Sequence, residues 1–155
     1  MFDIPLDAWY VWVGLAIASG SVFGVASAMP AAAPPEATEA AETVDSVAAS
    51  RYAAVGDHPV PNADAARIGA ESLSLRGGGG TTHARFRYGP VTPARGSERL
   101  ADVLEGAPPE SRFDSPTAFE RTANAARSDD PKWRAVDRIT ARRVSWEGVD
   151  VVLVG

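Results

Sequence analysis

Cysteine is absent from this chain of 155 residues, and its absence excludes several kinds of chemistry. No disulfide, thiolate metal site, lipid-modified cysteine anchor or cysteine nucleophile can form. Lysine is nearly absent as well, because Lys132 is the only lysine among 15 basic residues. The 20 acidic residues give a net charge of −5, so the composition does not indicate a protein that binds nucleic acid. Abundant alanine and arginine with an acidic excess are typical of a GC-rich, salt-adapted source.

Catalytic and ligand-binding motifs are also missing. Histidine occurs only as His58 and His83, and neither has a partner at the spacing of a metal site. The glycine run at residues 77–80 lacks the Lys-Ser/Thr of a phosphate-binding loop, so we interpret it as a hairpin loop. Asp129 and Asp130 could bind a cation together, but a surface helix end is the simpler interpretation. We therefore expect no enzyme, and we predict no catalytic, cofactor-binding or metal-binding residues.

One long uncharged run lies near the N-terminus, at residues 8–29. Its 22 residues, at about 1.5 Å per residue in a helix, are enough to cross a hydrocarbon core of roughly 30 Å. Trp9, Tyr10 and Trp12 stand at its start, where aromatic rings favour the lipid headgroups. The run predicts a single transmembrane helix in a lipid bilayer, after a short tail of residues 1–7.

Other interpretations of this run remain open. It could be a cleaved signal peptide ending near Ala28, although residues 1–7 carry no basic residue. A buried core helix and a pilin-type N-terminus are further alternatives, but a matching apolar partner and a pilin leader junction are both missing. Orientation is weakly encoded because Arg51 is the first basic side chain. The α-amino group favours an inside N-terminus and an extracytoplasmic domain.

Small residues recur at every fourth position of the predicted membrane helix. Side chains at this spacing share one face and let two helices approach closely. The face is a candidate helix–helix contact, either with a second copy of the chain or with another membrane protein. An alanine-rich chain can also produce such a series by accident. The stripe consists of Ala16, Gly20, Gly24 and Ala28.

The prolines, alanines and glutamates of residues 30–42 predict a linker, because little in them can pack a core. Residues 43–155 then form the predicted soluble α+β domain, which begins with a helix at residues 43–54. Removing residues 1–42 should on this view leave a folded monomer.

Alternating apolar residues predict two hairpins in that domain. The first joins residues 72–76 to 82–88 through the glycine run. The second joins residues 139–146 to 149–154 through Glu147 and Gly148, a pair suited to a type I′ turn. Between the hairpins, Ser97 and Ser115 can each start a helix, for two to three helices in all. We expect one antiparallel sheet with the helices on one face, towards which Phe86, Tyr88, Val151 and Leu153 point.

Arginines on the polar sides of these strands form a candidate partner surface. Arg85 and Arg87 share one strand, and Arg142 joins them if its own strand is a neighbour. Such a patch could receive an acidic partner. Pairing with surface carboxylates is the alternative. For Trp133 and Trp146, the default expectation is burial in the core.

Five stretches of the sequence are distinctive: DAWYVW at 7–12, TVDSVAAS at 43–50, YGPVTP at 88–93, FDSP at 113–116 and RRVSWEGVDVVLVG at 142–155. In these stretches the chain resembles an uncharacterised family of small membrane-anchored proteins from halophilic archaea. The resemblance implies a single-pass membrane protein and an accessory of type IV pilus-like machinery, and it supplies no functional residues. We therefore expect a non-enzymatic envelope or assembly protein that acts through protein–protein contacts. The alternative is a tethered small-ligand or ion-binding module, which would need a concave pocket.

Overall fold

In a computed structural model of the protein, residues 13, 15–17 and 32–155 are described. The chain divides into two compact units, Met1–Ala31 and Ala32–Gly155. In the first unit, residues 13 and 15–17 are helical and exposed. Most of the predicted membrane segment, including Gly20, Gly24 and Ala28 of the small-residue stripe, lies outside the described residues. Within the described residues, no helix has the length and apolar character needed to cross a membrane.

The second unit is an α+β domain with two four-stranded sheets, which we name sheet A and sheet B. Sheet A has the strand order β1-β7-β8-β5, with β5 parallel to β8, and sheet B has the order β4-β3-β2-β6. The predicted α+β class of this domain is confirmed, whereas the prediction of a single sheet is wrong, because each hairpin belongs to a different sheet. The elements are α1 (Ala37–Ala49), β1 (Ala54–Pro59), β2 (Ala65–Ile68), β3 (Ser72–Gly77), β4 (Gly80–Arg85), β5 (Thr92–Pro93), α2 (Glu98–Glu105), α3 (Pro116–Ser128), β6 (Arg134–Ala135), β7 (Arg138–Trp146) and β8 (Val149–Val154), with 3₁₀ turns at Ala94–Gly96 and Pro109–Ser111.

Helix α1 corrects the prediction for the linker. It begins at Ala37 rather than residue 43, and Ala37, Ala40 and Ala41 are at most 3% exposed in the core. Alanine contributes little apolar area, so the sequence pattern was weak, but its small side chain lets a helix lie close to a sheet. A methyl group on Gly56 of β1 would lie 2.9 Å from Cγ2 of Val47, so the contact is tight. Residues 37–42 therefore belong to the domain.

Sheet A is covered on both faces, and β8 shows this by strict alternation. Val152 and Val154 enter a core cluster shared with α1 and sheet B, while Val151 and Leu153 enter a second cluster with α2 and α3. Successive side chains of a strand point to opposite faces, so a strand between two layers is apolar throughout. The prediction that Val151 and Leu153 face helices is confirmed.

The C-terminal hairpin and the helix boundaries follow the sequence signals. Glu147 and Gly148 have φ values of 46° and 86°, and positive φ at both positions defines the expected type I′ turn. The Ser115 hydroxyl accepts a hydrogen bond from the Ala118 amide at 3.2 Å, which caps α3 as predicted. Gly106 ends α2 with a φ of 127°.

The strand predicted at residues 82–88 ends earlier, at Arg85. Asp45, which is 7% exposed on α1, accepts hydrogen bonds from the backbone amides of Arg87 (2.8 Å) and Tyr88 (3.2 Å). These bonds take the place of strand pairing and turn the chain away from sheet B. Phe86 is consequently buried in the first cluster, but Tyr88 is 57% exposed, so the prediction for Tyr88 is wrong.

Candidate functional site

On the outward face of sheet B, every charged side chain of the strands is basic. Leu73 and Leu75 of β3 are fully buried against the core, so Arg76 points outward. The register places Arg67 of β2 on the same side, and it places His83 and Arg85 of β4 there as well. We name Arg67, Arg76, His83 and Arg85 the basic face. The other outward positions of the paired strands are Ala65, Ser72, Ser74, Thr81 and Ala135, none of them acidic.

An indole ring holds two of these arginines. The guanidinium carbons of Arg67 and Arg76 lie 5.0 and 4.6 Å from the centre of the Trp133 ring. Stacking on an aromatic ring suits a planar guanidinium and limits the rotamers it samples. Trp133 is therefore a support for the basic face, rather than a core residue as predicted, whereas Trp146 does pack against the second core cluster.

His83 is fixed in a similar way. Its Nδ1 atom lies 2.8 Å from the hydroxyl oxygen of Ser74, its partner across the sheet, while the ring itself is exposed. Within residues 32–155, none of the basic-face side chains forms an ion pair with a carboxylate. The face thus presents fixed, unneutralised donors to solvent.

The three arginines of the candidate partner surface do not form one patch in the structure. Arg85 lies on the basic face, and Arg87 follows the end of β4. Arg142 lies in sheet A and is therefore not part of the same patch. Its Nη1 atom is 3.3 Å from the position that a Cβ atom on Gly106 would take. Arg76 was recognisable from the alternation of β3. Arg67 and Trp133 were not recognisable, because β2 has only four residues and Trp133 precedes the two-residue strand β6.

Asp45 is a structural residue that the sequence analysis missed. We expect Asp45→Ala to lower the free energy of unfolding by about 2–3 kcal/mol, because two charge-assisted hydrogen bonds to backbone amides are lost. Asp45→Asn keeps an acceptor oxygen of the same shape and should cost less than half as much. Chemical denaturation of both variants measures the difference. Equal losses would show that the bonds to Arg87 and Tyr88 contribute little.

A cavity of about 380 Å³ lies between the two sheets. Its apolar lining includes Ala66 and Ile68 of β2 and Val154 of β8, all at least half-buried. The charged side chains that line it are Arg95, Asp129, Asp130, Lys132 and Arg134.

The wall of the cavity is held by a buried polar contact. The Arg127 Nε donates to Oγ1 of Thr92 at 2.8 Å, and Thr92 is fully buried. Burial lowers the pKa of the Arg127 guanidinium, and the carboxylate of Glu120 acts in the opposite direction. This hydrogen bond joins α3 to β5. Ala126, next to Arg127, and Pro93, next to Thr92, both line the cavity. Among the described residues, no cluster of three or more histidine or acidic side chains is placed to hold a metal ion.

These features define an α+β domain with a basic sheet face and a cavity of about 380 Å³. The chain matches a sequence family over residues 3–144 and belongs to it: the family of unknown function DUF7283. No curated protein and no solved structure matches the chain.

Proposed function

We propose that this protein is a single-pass, membrane-anchored accessory of a cell-envelope assembly, and that its domain binds an acidic protein partner through the basic face. The observation that carries the proposal is the stack of Arg67 and Arg76 on Trp133. Side chains that are already ordered lose less conformational freedom on binding, so more of their interaction energy appears as affinity.

Charge favours an acidic protein surface as the occupant. The basic face bears three arginines and no carboxylate, although the chain as a whole has a net charge of −5. An opposite charge on the partner would guide its approach and fix its orientation. Arginine forms paired hydrogen bonds with carboxylates, whereas lysine acts as a single point charge.

The anchoring part of the proposal rests on residues 8–29. Their 22 uncharged residues are long enough for a membrane helix, and Val13, Leu15 and Ile17 are helical with exposed apolar side chains. The small-residue stripe from Ala16 to Ala28 would then give the helix a close-packing face for a second copy or a membrane partner. The resemblance to membrane-anchored proteins of halophilic archaea supports a pilus-like assembly, and the charge of the α-amino group favours an extracytoplasmic domain.

The test neutralises the basic face. In the triple variant Arg67→Gln, Arg76→Gln and Arg85→Gln, we expect a partner identified by crosslinking from Thr81 in native membranes to bind roughly tenfold or more weakly, because three ion pairs are lost. Binding is then measured with the purified partner. The matched control changes Arg51, Arg121 and Arg138, which are exposed elsewhere, to Gln.

The outcomes separate the occupants. A loss of binding to a purified acidic protein with the face variant, and not with the control, supports the proposal. Equal losses with both variants would show that only net charge matters and would overturn it. Crosslinks to anionic lipid alone would assign the face to the membrane surface instead. Melting temperatures of both variants are compared so that a loss of folding is not read as a loss of binding.

A further inference from the structure

We propose that the cavity between the two sheets is a binding site for a small organic anion with an apolar body. This site is separate from the basic face. Arg134 pairs with Ala66 on the inward side of sheet B, whereas Arg67 points outward. The two arginines are thus on opposite sides of the same sheet, and the site does not depend on the proposed protein contact.

The size and the apolar lining of the cavity define the body of the ligand. A volume of about 380 Å³ is at the lower end of the range for small-molecule sites, which are mostly apolar with a few polar groups. Ala66, Ile68, Val136 and Val154 supply the apolar surface. Burying an apolar ring or branched chain there would remove apolar surface from water, which favours binding.

The charges define the head group. Arg95 comes from the 3₁₀ turn after β5, whereas Lys132 and Arg134 lie two residues apart, in the connection after α3 and at the start of β6. The two carboxylates, Asp129 and Asp130, are adjacent in sequence at the end of α3. Counted by side chains alone, three cationic groups stand against two anionic groups, an excess of one positive charge in a protein that is negative overall. A ligand with one negative group complements that excess.

These charged side chains are available to a ligand. All five are exposed at the cavity, and within residues 32–155 none of them forms an ion pair with another residue. The surrounding backbone, in contrast, is held firmly by the Arg127–Thr92 bond and by pairing of β2 with β6. A fixed apolar lining with unpaired charged side chains beside it can select the head group without a change of fold.

The test uses three probes that share one body and differ in the head group: 3-phenylpropionate, 3-phenylpropanamide and 3-phenylpropylamine. Each is titrated into the full chain, followed by ligand-observed NMR and by thermal unfolding at low salt. We expect the carboxylate to bind saturably, the amide at least fivefold more weakly, and the amine more weakly still. Binding of the amine as tight as that of the carboxylate, or no saturable binding of any probe, would overturn the proposal.

Variants locate the site. Arg95→Gln, Lys132→Gln and Arg134→Gln are compared with Arg138→Gln, which removes an exposed arginine of β7 outside the cavity. At least one of the first three should reduce the preference for carboxylate over amide threefold or more, and the control should not. Ala126→Phe should fill the cavity and abolish binding of both the carboxylate and the amide probe. If the preference survives all three substitutions, or if Ala126→Phe folds normally and still binds the carboxylate, the cavity is not the site.

Discussion

Removing residues 1–31 should leave a domain that unfolds cooperatively, whereas removing residues 1–42 should destroy most of its stability. The second cut deletes the first six residues of α1, including Ala37, Ala40 and Ala41, which are at most 3% exposed. It also deletes Pro35, whose carbonyl accepts a hydrogen bond from Thr82 at 2.7 Å. Sheet A and sheet B both pack against α1, so part of the core between them would be opened to water.

The expected loss in the free energy of unfolding is on the order of 5 kcal/mol or more. Such a loss removes most of the stability of a small domain, which is only about 5–15 kcal/mol in total. Urea denaturation followed by circular dichroism compares the chains that begin at Ala32 and Thr43. A chain that begins at Ala37 is the matched control, since it keeps all of α1 and loses only residues 32–36, including the Pro35 carbonyl that accepts from Thr82. Cooperative unfolding of the chain from Thr43 at the same midpoint as the chain from Ala32 would show that the first half of α1 does not belong to the core.

Local signals accounted for a large part of the domain. The β7–β8 hairpin was visible because a positive-φ pair, Glu147 and Gly148, joins two apolar strands. Helix α3 was visible because Ser115 and Pro116 form a start signal that does not depend on distant contacts. The glycines at residues 77–80 were correctly placed in a hairpin, with a turn at Gly78 and Gly79.

The missing elements depend on contacts between distant segments. Strands β5 and β6 have two residues each, so no alternation can reveal them. Strand β1 alternates poorly because Gly56 and His58, which are not apolar, lie on its inner side against α1. Without these strands the two hairpins appeared to share one sheet, although they lie in separate sheets that α1 holds together.

In the candidate sites too, the features set by local sequence were predictable and those set by distant contacts were not. Arg85 was placed on an outer strand face from its own sequence neighbourhood, and Arg76 could have been. The stack joins Trp133 to Arg67 and Arg76, which lie far from it in the sequence. The cavity likewise brings Ile68 together with Val154. Such juxtapositions follow from sheet topology, which no local pattern in one sequence specifies.

Replacement of Phe119 by alanine should have the largest effect of any single substitution, a loss of about 3–5 kcal/mol in the free energy of unfolding. The ring is fully buried at the centre of the second core cluster, with its centroid 5.2 Å from that of Phe113 and 6.2 Å from that of Trp146. Phe119→Leu keeps most of the volume and should cost less than half as much, so the pair separates cavity formation from the loss of ring contacts. Denaturant titration measures both losses, and a loss below about 1 kcal/mol for Phe119→Ala would mean that α3 does not pack on sheet A. Because this cluster and the basic face belong to different sheets, a folded Phe119→Leu protein should bind the acidic partner with unchanged affinity.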